Sequence, residues 1–295
     1  MSFRPRRTAL YMPGSNARAL EKARSLDVDV LLLDLEDAVA MDMKEVARNQ
    51  VAEAVKAGGF GHREVVIRIN GMDTQWGAAD LAAAIEAKPD AILVPKVNCA
   101  EDVYMVGRKM NDAGADQSIK IWAMMETPQG MLRALEIAAA TQEYHGRRLG
   151  CFILGTNDLA KETRAAMVPG RAPVYGWLMN CLAAARSYDL DVIDGVYNNF
   201  NDMDGYIAEC EQGKEMGMDG KTLIHPKQIA DCNRIFSPDA DEVAWGRKLI
   251  EAFDAPENLS KNVMTIDGKM VERLHADMAR RLVDIAEAIA ARDEE

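Results

Sequence analysis

Two carboxylates stand where apolar runs end. Glu126 ends the apolar run of "IWAMMETPQG" and is followed at once by threonine, proline and glutamine; Asp158 stands in "GCFILGTNDLA". A charge at the end of a buried strand is costly unless something pairs with it, so each residue asks for a partner. Hard oxygen ligands on neighbouring strands suit Mg²⁺, which takes one or two carboxylates, keeps several waters and leaves positions for substrate oxygens. The structural alternatives are an ion pair from Glu126 to Arg68 or Lys96, and N-capping by Asp158 of the helix that follows, unless Thr156 or Asn157 caps it instead. Arg68, in "EVVIRIN", offers a planar fork of donors suited to a carboxylate, a carbonyl or an enolate oxygen. Ion pairing with Asp34, Glu36 or Asp37 is its structural role, and such neighbours would also aim the guanidinium.

Other apolar runs end in Asn70, Lys96, Asn157, Asp194 and His225. Asp194 reads equally as a buried turn acceptor, and His225, before Pro226, as a hydrogen-bonded strand-end histidine. There is no nucleophile elbow, phosphate-cradling Walker loop or GxGxxG fingerprint. The five cysteines, Cys99, Cys151, Cys181, Cys210 and Cys232, form no CxxC pair. That argues against a zinc site and reads as reduced thiols in a cytoplasmic protein.

The elements that must position these residues show in the pattern of short apolar runs. "TALYMPG", "VDVLLLDLED", "EVVIRIN", "AILVPKV", "IWAMMET", "GCFILGTNDLA", "DVIDGVY" and "KTLIHP" lack alternation, as strands buried on both faces do. Between them, "ALEKARSL", "KEVARNQVAEAVKAG", "GAADLAAAIEA", "GMLRALEIAAATQEY" and "YIAECEQGKEMG" carry apolar residues at three- and four-residue spacing. The pattern predicts an α/β fold, a (β/α)₈ TIM barrel over residues 1–237, with a doubly wound open sheet as the competitor. Residues 238–295 are expected to form a C-terminal helical lid extension: a helix in "DADEVAWGRKLIEAFDA", a loop with a short strand, and a long amphipathic helix from "VERLH" onward. In a parallel barrel the polar strand ends would crowd one mouth, where barrel active sites lie.

Composition bounds the rest. The 295 residues carry a net charge of −12, which argues against non-specific binding to nucleic acid or an anionic membrane. No apolar run approaches the roughly 20 residues of a membrane span, and the N-terminus lacks the apolar core of a signal peptide.

The motifs "LYMPGS", "LLLDLEDAV", "VIRING", "ILVPKV", "MMETPQG", "GTNDLAKE", "GVYNNF" and "GMDGKTLIHPKQI", in this order, resemble the citrate-lyase β-subunit-like branch of the HpcH/HpaI aldolase superfamily. The resemblance covers nearly the whole chain from Arg7. It implies a Mg²⁺- or Mn²⁺-dependent TIM barrel acting on CoA thioesters of 3-hydroxy diacids such as malyl-CoA, β-methylmalyl-CoA or citramalyl-CoA, with a small oxo acid such as glyoxylate or pyruvate as the other reactant. It also implies a homotrimer or hexamer in which each C-terminal segment closes a neighbour's site. Carried over by motif, Glu126 and Asp158 become the metal ligands and Arg68 the substrate-binding, enolate-stabilising group. Asp37 and Glu272 join Arg68 as candidate catalytic residues, and Arg7, Arg18 and Lys22 are candidates for a basic rim that takes the CoA phosphates.

One departure stands out. Many lyases of this family carry an aspartate in a "GKMxD" pattern, where "DGKMVERLH" has Glu272. The "VERLH" form and "RINGMDTQWG" look closer to a branch that includes a (3S)-malyl-CoA thioesterase. The main expectation is a carbon–carbon lyase; the alternatives are a thioester hydrolase at the same site and a citrate lyase β subunit acting on a carrier-protein thioester.

Overall fold

A computed structural model describes residues 4–293. Eight parallel strands close into a barrel in chain order: β1 (Thr8–Pro13), β2 (Val30–Asp34), β3 (Glu64–Arg68), β4 (Ala91–Val94), β5 (Lys120–Met125), β6 (Leu149–Leu154), β7 (Asp191–Asp194) and β8 (Gly220–Leu223). β8 pairs with β1, so no edge remains. The expected barrel is present, and each of the eight apolar runs supplies one strand. β2 and β3 are buried at every position, because one face fills the lumen and the other lies under helices.

The strand alternation decides what enters the lumen. Ala9, Val30, Leu32, Val66, Ala91, Leu93, Trp122, Met124, Cys151, Ile153 and Ile193 pack together as its apolar filling, with Tyr11 against them. Two residues on, along the same face, come Asp34 on β2, Arg68 on β3, Glu126 after β5 and Gly155 after β6. Two residues back come Glu64 on β3 and Asp191 on β7. Arg6 reaches between these last two, with Nε 2.7 Å from Glu64 Oε2 and Nη1 2.6 Å from Asp191 Oδ2, and its guanidinium lies 4.8 Å from the Trp122 ring. The lumen is thus ionic at its floor, apolar in the middle and ionic again at its mouth.

β5 stops where its sequence says it must. Thr127 takes an extended conformation, caps the helix Pro128–Leu132 by accepting from the Gly130 N–H at 3.0 Å, and Pro128 occupies the first helical position. The single helix expected over "GMLRALEIAAATQEY" is instead broken. Arg133, at φ −107° and ψ 17°, separates Pro128–Leu132 from Ala134–Ala139, and a 3₁₀ turn follows.

Residues Arg6–Arg234 form one compact unit, and among the described residues Arg4 and Pro5 group with Ile235–Asp293 as a second. The second unit contains the helix Ala240–Asp254, an antiparallel hairpin of β9 (Val263–Ile266) and β10 (Lys269–Glu272), and the helix Arg273–Asp293. Asp267 and Gly268 turn the hairpin with positive φ at both positions, as an Asp-Gly two-residue turn does. Leu249, Phe253, Ile266, Val271, Ala276 and Ala279 form its core.

Candidate active site

A cavity of about 310 Å³ opens at the carboxyl ends of the strands, with Tyr11, Asp37, Arg68, Glu126, Asp158 and Asn198 among its lining. Asp34 and Asn157 border it too. Six of the strand-end residues singled out in the sequence therefore meet in one place.

Arg68 is held from several sides. Its Nε and Nη2 each donate to Asp34 at 2.6 Å, and Nη1 lies 2.9 Å from Glu36 Oε2 and 3.4 Å from Asp37 Oδ2. Asp34 is itself fixed by the backbone N–H groups of Glu36 at 2.9 Å and Ala38 at 3.0 Å. The Tyr11 ring lies 4.8 Å from the guanidinium on another side. The ion pairs expected with Asp34, Glu36 and Asp37 are thus all present. The contact with Asp37 is the longest of these ion pairs, and Asp37 is the exposed partner, its side chain 59% accessible.

Glu126 is the opposite case. It is 1% exposed, and its Oε1 accepts from the Lys96 N–H at 2.8 Å. Its Oε2 is buried with no hydrogen-bond partner, and neither the Arg68 nor the Lys96 side chain pairs with it among the described residues. Burial, then the neighbouring Glu36 charge, raises its carboxyl to about 8, against the opposing pull of the Lys96 N–H and Arg68. Gly155 leaves it room: a Cβ there would stand 2.4 Å from Glu126 Cβ and 2.5 Å from Oε2.

Asp158 lies in the first turn of the helix Thr156–Thr163, which begins after Gly155 without a side-chain cap. Asp158 is thus not spent as an N-cap. Asn157 pairs with Asn198 through reciprocal amide bonds of 3.1 and 2.8 Å. An orphaned buried oxygen on Glu126 and an uncommitted carboxylate on Asp158, lining one cavity, fit a divalent cation. Among the described residues no cluster of three or more metal-ligating side chains occurs. The protein would supply two ligands and leave the remainder to water and substrate, as Mg²⁺ prefers.

Glu36 connects the two halves of the mouth. One oxygen faces Arg68 and the other Lys96 Nζ at 2.8 Å. Burial raises its carboxyl, with Arg68 and then Lys96 opposing.

Several expected residues are not among the lining of this cavity. Arg7 is not at the rim. It precedes β1, so it lies at the amino end of the barrel, buried, with its N–H, Nε and Nη2 all donating to Asp29 at 2.7–2.9 Å. Arg18 and Lys22 are exposed on the helix Ala17–Ala23, Arg18 in its first turn after the carboxyl end of β1. Asn70 is buried in structural bonds to Lys44, Leu35 and Asp80. Asp194 is locked between Arg171 at 2.7 Å and Lys221 at 2.9 Å. Burial works to raise its carboxyl, but the Lys221 and Arg171 charges win and hold it low. His225 stacks on Phe200 with centroids 4.6 Å apart and accepts from the Lys227 N–H through Nδ1. Glu272 ends β10, exposed, immediately before the helix Arg273–Asp293.

Two contributors went unnoticed in the sequence, Tyr11 and Gly155. The alternation that puts Ala9 and Ile153 in the lumen was the signal for both.

The family model described as HpcH/HpaI aldolase/citrate lyase matches residues 7–226. A (3S)-malyl-CoA thioesterase of Cereibacter sphaeroides is 49% identical over 287 residues, 97% of this chain and 96% of that protein. The citrate lyase subunit beta of Escherichia coli K12 is 32% identical over 296 residues, 99% of this chain and 96% of that one. Among solved structures, the citrate lyase beta subunit of M. tuberculosis complexed with oxaloacetate and magnesium is 25% identical, with a TM-score of 0.67 over 79% of this chain and 98% of that one.

Proposed function

This chain belongs to the HpcH/HpaI aldolase/citrate lyase family, and from that premise we propose that it is a Mg²⁺-dependent thioesterase for a 3-hydroxydiacyl-CoA of the malyl-CoA type. The observation that carries the choice of hydrolysis is the 49% identity, over 97% of the chain, to a protein named for that reaction. In hydrolysis a water oxygen attacks the thioester carbonyl carbon, the C–S bond breaks, and the leaving thiolate takes up a proton.

Glu126 and Asp158 would hold the cation, which when bound supplies polarisation of a substrate oxygen. The unpartnered Glu126 Oε2 supports that assignment. Arg68 is the donor aimed at the acyl group. Of its ion pairs the 3.4 Å contact with Asp37 is the one a substrate oxygen can most readily replace, which leaves Asp37 free to accept the proton of water. Glu272 is a second candidate base and acts only where the C-terminal unit reaches a mouth. With Arg7 committed to Asp29, Arg18 and Lys22 are the candidates for the CoA phosphates. A homotrimer or hexamer in which that unit serves a neighbour fits the same scheme.

The similarity to citrate lyase subunit beta favours a second reading at the same site: carbon–carbon cleavage with Arg68 stabilising the developing enolate. Product analysis with malyl-CoA and Mg²⁺ separates the two. Malate with free CoA supports hydrolysis; glyoxylate with acetyl-CoA supports cleavage and overturns hydrolysis. Turnover only with a carrier-protein thioester marks a β-subunit role, and full activity in excess EDTA rejects the metal.

A further inference from the structure

Lys96 follows β4 in a left-handed backbone conformation, φ 52°, which a residue with a Cβ rarely adopts. The corner that holds it is tied down: Asn98 Nδ2 donates to the Lys96 carbonyl at 2.9 Å, and Thr127 Oγ1 donates to Asn98 Oδ1 at 2.7 Å. In this conformation the Lys96 N–H meets Glu126 Oε1 at 2.8 Å. Its ammonium meets Glu36 Oε1 at 2.8 Å, and the other oxygen of Glu36 braces Arg68 Nη1 at 2.9 Å. A single residue thus touches both working parts of the mouth: the carboxylate with a free oxygen, and the support of the guanidinium.

We propose that Lys96 is a positioning residue which, through its backbone N–H and its ammonium, fixes Glu126 and the Glu36–Arg68 pair in one mutual geometry. It rests on the mouth being catalytic, and it assigns Lys96 no contact with the reacting atoms. The two links are separable. Side-chain truncation removes the ammonium and spares the N–H. The choice of truncating residue decides whether the left-handed corner survives, since glycine accepts positive φ and valine resists it.

The experiment uses the full-length protein, four variants, malyl-CoA turnover, and Mn²⁺ binding followed by electron paramagnetic resonance without substrate. Lys96→Met is expected to lower kcat by about tenfold or more while KM stays within about threefold, and Lys96→Arg to recover most of the loss, since misplacing a catalytic group by about 1 Å costs on the order of 10²-fold. Lys96→Gly should bind Mn²⁺ within about twofold of wild type, and Lys96→Val at least about fivefold more weakly, because only valine opposes the corner that aims the N–H. Lys96→Met at wild-type kcat overturns the ammonium link. Equal Mn²⁺ affinity in the glycine and valine variants overturns the backbone link. A lowered melting temperature with kcat and Mn²⁺ affinity both unchanged overturns the proposal in favour of a purely structural lysine. If wild-type protein fails to turn over malyl-CoA, the functional reading falls, and the Mn²⁺ comparison still decides the backbone link.

Discussion

Glu126 is a carboxylate that the fold makes uncomfortable unless a cation joins it. Its carboxyl sits at about 8, well above the ordinary range, chiefly through burial. The folded state therefore holds this proton more tightly than the unfolded chain, whose glutamates titrate at about 4.3. The contribution favours folding below the unfolded pKa and is lost as pH rises toward about 8. Melting curves in EDTA are expected to show this decline across that window in wild type and to lack it in Glu126→Gln. Saturating Mg²⁺ should restore the stability of wild type and leave the glutamine variant unmoved. The buried place of Glu126 at a strand end was legible, because the residue directly follows an apolar run. Arg7 misled for the converse reason: basic character drew attention, while its place before a strand already put it at the far end of the barrel.

At the level of elements, the buried charges around β7 and β8 look like catalytic machinery and behave as structure. Asp194, Arg171 and Lys221 are each at most 1% exposed, and Lys221 Nζ also meets Glu209 at 2.7 Å. Removing one partner strands the others, so Asp194→Ala should cost about 3–5 kcal/mol of stability. At a temperature where the variant is folded, kcat should remain close to wild type, and denaturant unfolding together with turnover checks both halves. The strands were legible because burial on both faces leaves an unbroken apolar signature. The pairing of Asp194 was not, since Arg171 lies in a loop and Lys221 inside a strand, and no local spacing links them. The break at Arg133 was equally hidden, because "GMLRALEIAAATQEY" has helical composition on both sides of it.

On the scale of the molecule, the acidic total charge coexists with a mouth that keeps Arg68 and Lys96 among its carboxylates. No helix among the described residues is long and apolar enough to cross a membrane. If the C-terminal unit serves a neighbouring mouth, two dead variants should complement each other. Mixing Asp158→Ala with Glu272→Ala is then expected to restore part of the activity, because some mixed assemblies pair an intact barrel with an intact extension. A near-normal kcat in Glu272→Ala alone would instead leave this residue as a helix-terminal charge worth about 0.3–1 kcal/mol. The bridge of Arg6 to Glu64 and Asp191 beneath Trp122 has a kinetic corollary. A barrel stoppered at one end is a blind alley, and traffic in it is last in, first out. If the mouth hydrolyses an acyl-CoA thioester, as proposed, the acyl group enters ahead of its bulky carrier and the carrier leaves before the acid can. Product-inhibition patterns should record that queue: the free acid competitive against the thioester, free CoA mixed.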